Sequence, residues 1–161
     1  MNVRKFLRDL TGLDDPPHKI AMGLALGIFI GFIPIMGIQM AVVLPFAVLF
    51  RGNKTAAIGG VWITNPVTVI PIYYMDYKVG MLFLDYPPLT WGHFEDLFTT
   101  MTLDKLLKLG GSILVPLFVG GAVVAVIAAI PTYFIAKRVV TRSRERRARR
   151  RAEADASSDE G

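Results

Sequence analysis

The chain has 161 residues, of which 53% are hydrophobic, and it carries a formal net charge of +5. It has no cysteine, which excludes a disulfide framework, a thiolate nucleophile and a cysteine-ligated metal. No stretch matches a zinc-protease, nucleotide-loop, serine-hydrolase or calcium-loop motif, so the sequence predicts no metal, no cofactor and no catalytic residue.

Residues 1–12 have the pattern of a short amphipathic helix. Phe6 and Leu10 fall on one helical face, and Arg4 and Arg8 fall on the other. A helix with one apolar and one basic face is suited to a lipid surface. The segment is therefore predicted to lie along a membrane interface.

Three long runs, at 20–50, 55–75 and 109–136, contain no Asp, Glu, Lys, Arg or His. A helix needs roughly 20 apolar residues to cross the hydrocarbon layer, so each run is long enough to cross. The sequence therefore predicts an all-α, small polytopic membrane protein with one membrane domain over residues 13–138.

The first run begins with a row of small residues at Gly23, Gly27 and Gly31. Glycines four apart line one face of a helix and let a second backbone approach closely. The row predicts close helix packing, with a partner either inside the chain or in another subunit.

Pro34 and Gly37 interrupt the same run, because proline removes a backbone donor and glycine adds a flexible link. Residues 20–50 then form either one kinked spanning helix or a re-entrant hairpin of two short helices. The 31 residues of this run are generous for a single crossing and favour the hairpin.

The distribution of charge favours the hairpin more firmly. Nine basic residues and one acid lie at 137–151, the loop at 51–54 has two bases and no acid, and 85–108 holds four acids and two bases. Basic segments stay on the cytoplasmic side. A re-entrant hairpin at 20–50 with spanning helices at 55–84 and 109–136 places both termini inside and 85–108 in the periplasm.

The second run contains Asn65-Pro66, which is typical of a helix that restarts, and Pro71 adds a further kink. Two neighbouring interrupted segments are the best sequence indication of a binding site in a membrane protein. A half-helix beginning at Pro66 directs unpaired N–H groups at its front, where a phosphate fits. Gln39, Thr64, Asn65 and Pro66 are the candidate ligand-binding residues. In the alternative, they only satisfy backbone groups that the prolines free.

The stretches "HKIAMGLALGIFIGFIPIMGIQM" and "WITNPVTVIPIYYMDYKVG" resemble the bacterial membrane-domain family catalogued as domain of unknown function 2062. The resemblance covers residues 18–80 and implies a small protein of the bacterial inner membrane. Some relatives look to be fused to glycosyltransferases that use lipid-linked sugars, which implies a connection with polyprenyl lipids. Asp76 departs from the uncharged residue expected at its position.

The remaining segments are predicted to be anchors. Asp76 lies among tyrosines near the end of its run and is expected at the membrane interface. Residues 85–108 are expected to lie along the outer surface as an interfacial helix. The tail at 139–161 is predicted to be disordered, with a basic part that attracts anionic lipid rather than nucleic acid.

Two roles follow, and neither is enzymatic. The first is binding or translocation of an anionic lipid of the polyprenyl-phosphate type, or of a small anion, at the paired broken helices. The second is a structural or accessory subunit that packs against another membrane protein or forms a homodimer. A membrane enzyme would need a titratable cluster inside the membrane, which the sequence does not offer.

Overall fold

The computed structural model describes residues 10–35, 37–84, 90–92, 95 and 103–159, and regular structure within them is helical, as predicted. The predicted interfacial segments at 1–12 and 85–108 lie mostly outside the described residues. The helices are α1, Pro17–Phe32; α2, Gln39–Leu49; α3, Lys54–Val61; α4, Val69–Gly80; and α5, Leu103–Asp159.

The helices α1 and α2 form a hairpin whose turn contains Pro34 and Gly37. Gly37 has a φ of 95°, a conformation that glycine adopts at no steric cost. Beyond the end of α2, Gly52 lies against the first half of α1, where a Cβ atom on it would be 2.8 Å from the nitrogen of Gly23. The chain has therefore returned along α1 by this point.

The helix α3 then runs beside α1 in the same direction, and their backbones touch through the glycine row. A Cβ atom on Gly23 would lie 2.9 Å from the nitrogen of Asn53, and one on Gly27 would lie 2.8 Å from the Cα atom of Gly60. Real Cβ atoms do not approach other atoms so closely, so the contact requires glycine. The row packs inside the chain, which is one of the two partners that the sequence left open.

The helix α4 packs against α5 by a similar contact, with the two helices antiparallel. A Cβ atom on Gly80 would lie 2.6 Å from the carbonyl carbon of Pro116, and one on Gly120 would lie 2.7 Å from that of Asp76. Side chains beside this contact form a buried cluster of Val69, Tyr73, Tyr77, Ile113 and Leu117. α5 continues through Pro116 without ending there.

The helix α1 also packs along α5 in the antiparallel direction. Near its start, His18 Nδ1 and the Tyr133 hydroxyl are hydrogen-bonded at 2.7 Å. Near its end, a Cβ atom on Gly121 would lie 2.7 Å from the carbonyl oxygen of Phe32. α1 is therefore enclosed by α3 and α5, with a buried cluster at its start that comprises Leu10, Ile20, Ala21, Leu24, Ala56, Ala136 and Val140.

The basic tail is a continuation of α5, which differs from the disordered tail predicted at 139–161 and from a helix that ends at 136. Arg144 Nη2 donates to the carbonyl oxygens of Leu13 (2.5 Å) and Asp15 (2.6 Å). Arg147 donates to the carbonyl oxygen (3.3 Å) and the hydroxyl (3.1 Å) of Thr11. Arginine, alanine and glutamate favour helix, and these bonds anchor the helix to the segment before α1.

Large apolar side chains cover much of the outside of the fold. Leu49 is 74% exposed and Ile127 is 65% exposed, whereas glycine makes many of the contacts inside. Soluble monomers rarely expose large apolar patches. By length and composition alone, one helical stretch of the described residues, Gly111–Ala156, is long and apolar enough to cross a membrane, while α1 and α2 are apolar but shorter.

Replacing Gly27 by alanine is expected to destabilise the protein by about 1–3 kcal/mol, because the added methyl group meets the α3 backbone. Gly111→Ala is the matched control, since a Cβ atom there meets nothing within 4 Å. Thermal unfolding in detergent, followed by circular dichroism, measures both. Equal melting temperatures for Gly27→Ala and the parent would contradict this packing.

Candidate functional site

The two broken segments meet at Thr64. Its hydroxyl donates a hydrogen bond to the carbonyl oxygen of Gly31, in the last turn of α1. Its carbonyl oxygen accepts from Gln39 Nε2, at the start of α2, at 3.4 Å. Thr64 and Gln39 are both buried. The structure therefore brings these two candidate residues together, and each side chain donates to a backbone carbonyl oxygen of the facing segment.

Asn65 caps the turn that leads into α4. Its Oδ1 atom accepts from the backbone N–H groups of Val67 (2.9 Å) and Thr68 (3.2 Å). In return, the Thr68 hydroxyl accepts from the backbone N–H of Asn65 at 3.0 Å. This reciprocal pair is a capping box, with Pro66 at the first position, where its missing N–H costs nothing. The predicted spanning helix at 55–84 is thus divided into α3 and α4.

The capping pattern decides what these residues offer to a ligand. The N–H groups of Val67 and Thr68 are bonded to Asn65 Oδ1, and that of Val69 is bonded to the Asn65 carbonyl oxygen at 2.8 Å. An anion in front of Pro66 would have to displace these bonds. For Asn65 the geometry therefore favours the alternative in which it satisfies the backbone.

The predicted helix breaks differ in their outcome. Pro34 and Gly37 lie between α1 and α2, as a break requires. Pro71 lies inside α4, which begins two residues before it and continues to Gly80. A proline near the start of a helix removes no backbone hydrogen bond that the helix needs, so α4 continues past Pro71.

Gln39 leaves one polar atom unused in this region. Its Oε1 atom is buried and has no hydrogen-bond partner within the described part of the chain. A carbonyl oxygen of this kind accepts hydrogen bonds and repels anions. The unpaired Oε1 atom of Gln39 therefore suits a hydrogen-bond donor better than a phosphate.

Asp76 is the buried polar residue whose environment the sequence reading missed. It is fully buried, and its two carboxyl oxygens have no hydrogen-bond partner among the described residues. Its Oδ2 atom faces Gly121, next to the end of α1 at Phe32. The interfacial position expected from the neighbouring tyrosines did not include this enclosure by the protein itself. The available signal was Gly80, one turn further on the same face of α4.

The loop between α2 and α3 is fastened to the start of α1. The backbone N–H of Asn53 donates to the carbonyl oxygen of Lys19 at 2.7 Å, and Asn53 Nδ2 donates to Asp15 Oδ2 at 2.7 Å. Asn53 Oδ1 also caps α3 by accepting from the N–H of Ala56. Arg51, in the same loop, has a φ of 54°, which costs a residue other than glycine about 1–3 kcal/mol.

Comparison with protein families matches residues 2–149 to the family described as "Uncharacterized protein conserved in bacteria (DUF2062)". The chain belongs to this family. The resemblance at residues 18–80 is therefore confirmed, and the match extends through most of α5. No curated protein and no solved structure matches the chain significantly.

Asn65→Ala is expected to lower the free energy of unfolding by about 1 kcal/mol, because the substitution removes the cap from two N–H groups. Asn65→Asp keeps an acceptor at the same place, and its free energy of unfolding is expected to lie within a few tenths of a kcal/mol of that of the parent. Thermal unfolding of the three proteins tests the cap. A larger loss for the aspartate variant than for the alanine variant would argue against it.

Proposed function

We propose that this protein is a multi-pass protein of the bacterial inner membrane that binds an anionic lipid at its basic end, without catalysis. The observation that carries the proposal is an apolar exterior with basic groups from three separate chain segments at one end of it. In water such a surface would aggregate, whereas in a bilayer it faces acyl chains.

The proposed topology puts that basic end in the cytoplasm. Asn53 joins the loop at 50–53 to the start of α1, and Arg144 joins the tail of α5 to the residues just before α1. The three basic segments are thus close in space, which supports one shared side. The positive-inside bias makes that side cytoplasmic. Under this proposal α1 and α2 form the re-entrant hairpin, and 85–108 is periplasmic.

Anionic lipid is the proposed ligand because basic residues near a cytoplasmic leaflet attract acidic headgroups. Polyprenyl phosphate is the lipid that the family resemblance implies, and phosphatidylglycerol carries a comparable headgroup charge. The proposal places the lipid at the basic end and not at the paired breaks, because the polar atoms of Asn65 and Thr64 are bonded to the chain itself.

A structural or accessory role is the second candidate, and one observation favours it. An apolar groove with a volume of about 280 Å³ lies between α1 and α5, and it is lined by hydrophobic side chains such as Met22, Phe29 and Ile130. A helix of another membrane protein, or of a second copy, would fit against such a surface by close packing.

Single cysteines test the topology, since the chain has none of its own. Thr99→Cys is expected to react with a membrane-impermeant maleimide in spheroplasts. Gly12→Cys and Ala156→Cys are expected to react only after permeabilisation. Labelling of either terminal variant in intact spheroplasts would overturn the shared cytoplasmic side, and a failure of Thr99→Cys to react would remove the periplasmic segment.

Native mass spectrometry in detergent tests the lipid proposal. The delipidated full chain is expected to retain phosphatidylglycerol or undecaprenyl phosphate as a discrete adduct, and to retain phosphatidylcholine far less, because only the first two are anionic. The control is the same titration in high salt, which should weaken a charge-based contact. Equal retention of all three lipids, or a homodimer that carries no lipid, would favour the structural role.

A further inference from the structure

An open cavity of about 700 Å³ lies where the start of α1, the end of α2 and the start of α3 meet. Its walls come from separate parts of the chain that the Asn53 hydrogen bonds hold together. The cavity is at the basic end of the fold, and none of Gln39, Thr64 or Asn65 lines it. It is lined by Asp15, Lys19, Ala47, Val48, Arg51, Gly52, Asn53, Lys54 and Thr55.

The charge of this cavity is unbalanced. Lys19, Arg51 and Lys54 line it together with one acid, Asp15. Asp15 is already engaged, because it accepts from Asn53 Nδ2 at 2.7 Å and lies 3.8 Å from Lys19 Nζ. Arg51 and Lys54 form no ion pair with any residue that the structure describes. Two uncompensated cations therefore share one concave surface, and an anion placed between them would relieve their repulsion.

Arg51 is held on this surface by an unfavourable backbone conformation. Its φ of 54° lies in the left-handed region, where glycine would be free of strain. Gly52 is next in the chain and is needed for the close approach to Gly23, so the strain falls on a residue with a large charged side chain. Strained residues persist only where the surrounding structure enforces them, and they cluster at functional sites.

Apolar side chains adjoin the charged wall. Val48, Leu49 and Phe50 immediately precede Arg51 and are 56%, 74% and 50% exposed. A free anion would gain nothing from them, whereas the acyl chains of a lipid could lie along them with the headgroup in the cavity. The arrangement of cations beside an apolar rim thus matches a molecule that is charged at one end and apolar at the other.

We infer that this cavity binds the phosphate group of an anionic lipid, with Arg51 and Lys54 as its main ligands and Lys19 as a third. The inference rests on the proposed lipid-binding function and gives it a site. Arginine and lysine both bind phosphate oxygens well, arginine through its planar fork and lysine as a point charge. The phosphate is the shared chemistry of a lipid headgroup and of free phosphate, and the experiment separates the two sources.

Arg51→Gly is the decisive variant because it separates binding from folding. Glycine accepts the left-handed backbone, so the variant is expected to melt at the same temperature as the parent or higher. It is also expected to weaken retention of phosphatidylglycerol by about tenfold or more, the loss that follows removal of one charge-assisted hydrogen bond. Lys54→Gln is expected to weaken retention in the same way, and the double variant more strongly.

Arg142→Ala with Arg146→Ala is the matched control. These arginines line a different cavity on the tail of α5, so their loss removes two positive charges from the same end without touching the site. The control is expected to change the retention of the discrete lipid adduct by less than about threefold, because exposed charges contribute little at moderate salt.

Inorganic phosphate forms the second arm of the experiment. It is added as a competitor of the lipid in mass spectrometry and as a stabiliser of the lipid-free protein in thermal unfolding.

Each result has one meaning. Loss of the lipid adduct in Arg51→Gly at an unchanged melting temperature supports the site. Retention equal to that of the control overturns the site and leaves the proposed function standing. If the parent retains no anionic lipid but inorganic phosphate raises its melting temperature through Arg51, the site holds free phosphate and the proposed function fails. If neither probe binds the parent, both are wrong.

Discussion

Direct contact between helix backbones is the constraint on which the rest of this fold depends. Gly23 and Gly27 let α3 lie against α1, and Gly80 and Gly120 do the same for α4 and α5. Under the proposed membrane location, helices gain little by hiding apolar side chains from lipid, so van der Waals contact at short range would have to hold them. Larger residues at these positions would separate α1 from α3 and would also displace the loop that carries Arg51.

The polar side chains inside this fold have two kinds of environment, one with hydrogen-bond partners and one without. At the break before α4, every polar atom of the Asn65 side chain is bonded to nearby backbone, so the interruption is satisfied locally. Asp76 lies within α4, after this break, and has no such partner in the described structure. Burying a carboxyl group without a partner is costly, and far more so when it is charged. Close packing around Gly120 and Gly121 leaves that side chain no route to the surface.

Sequence reasoning was effective where the signal is local. The break around Pro34 and Gly37, the cap at Asn65 and the small face formed by the glycine row all follow from the conformational limits of those residue types. These limits act within a few residues of the chain. They predict where a helix ends and which helix face consists of small residues, but not which part of the chain packs against that face.

The features that the sequence reading missed depend on distant residues. Nothing near Asp76 shows that Gly120, more than 40 positions later, will cover it. The helical tail depends on Arg144 reaching carbonyl groups before α1, and a run of arginines has the same composition whether it is solvated or docked. The cavity at Lys19, Arg51 and Lys54 is likewise assembled from three elements. No single window of sequence contains it.

The bonds from Arg144 and Arg147 to the segment before α1 have a consequence for biosynthesis. The carbonyl groups of Leu13 and Asp15 leave the ribosome before their partner Arg144, which is made about 130 residues later. At roughly 5–20 residues per second, the first helix waits on the order of ten seconds for the helix that encloses it. During that interval the face of α1 that packs against α5 has no partner, so a chaperone or insertase has time to act on an incomplete protein.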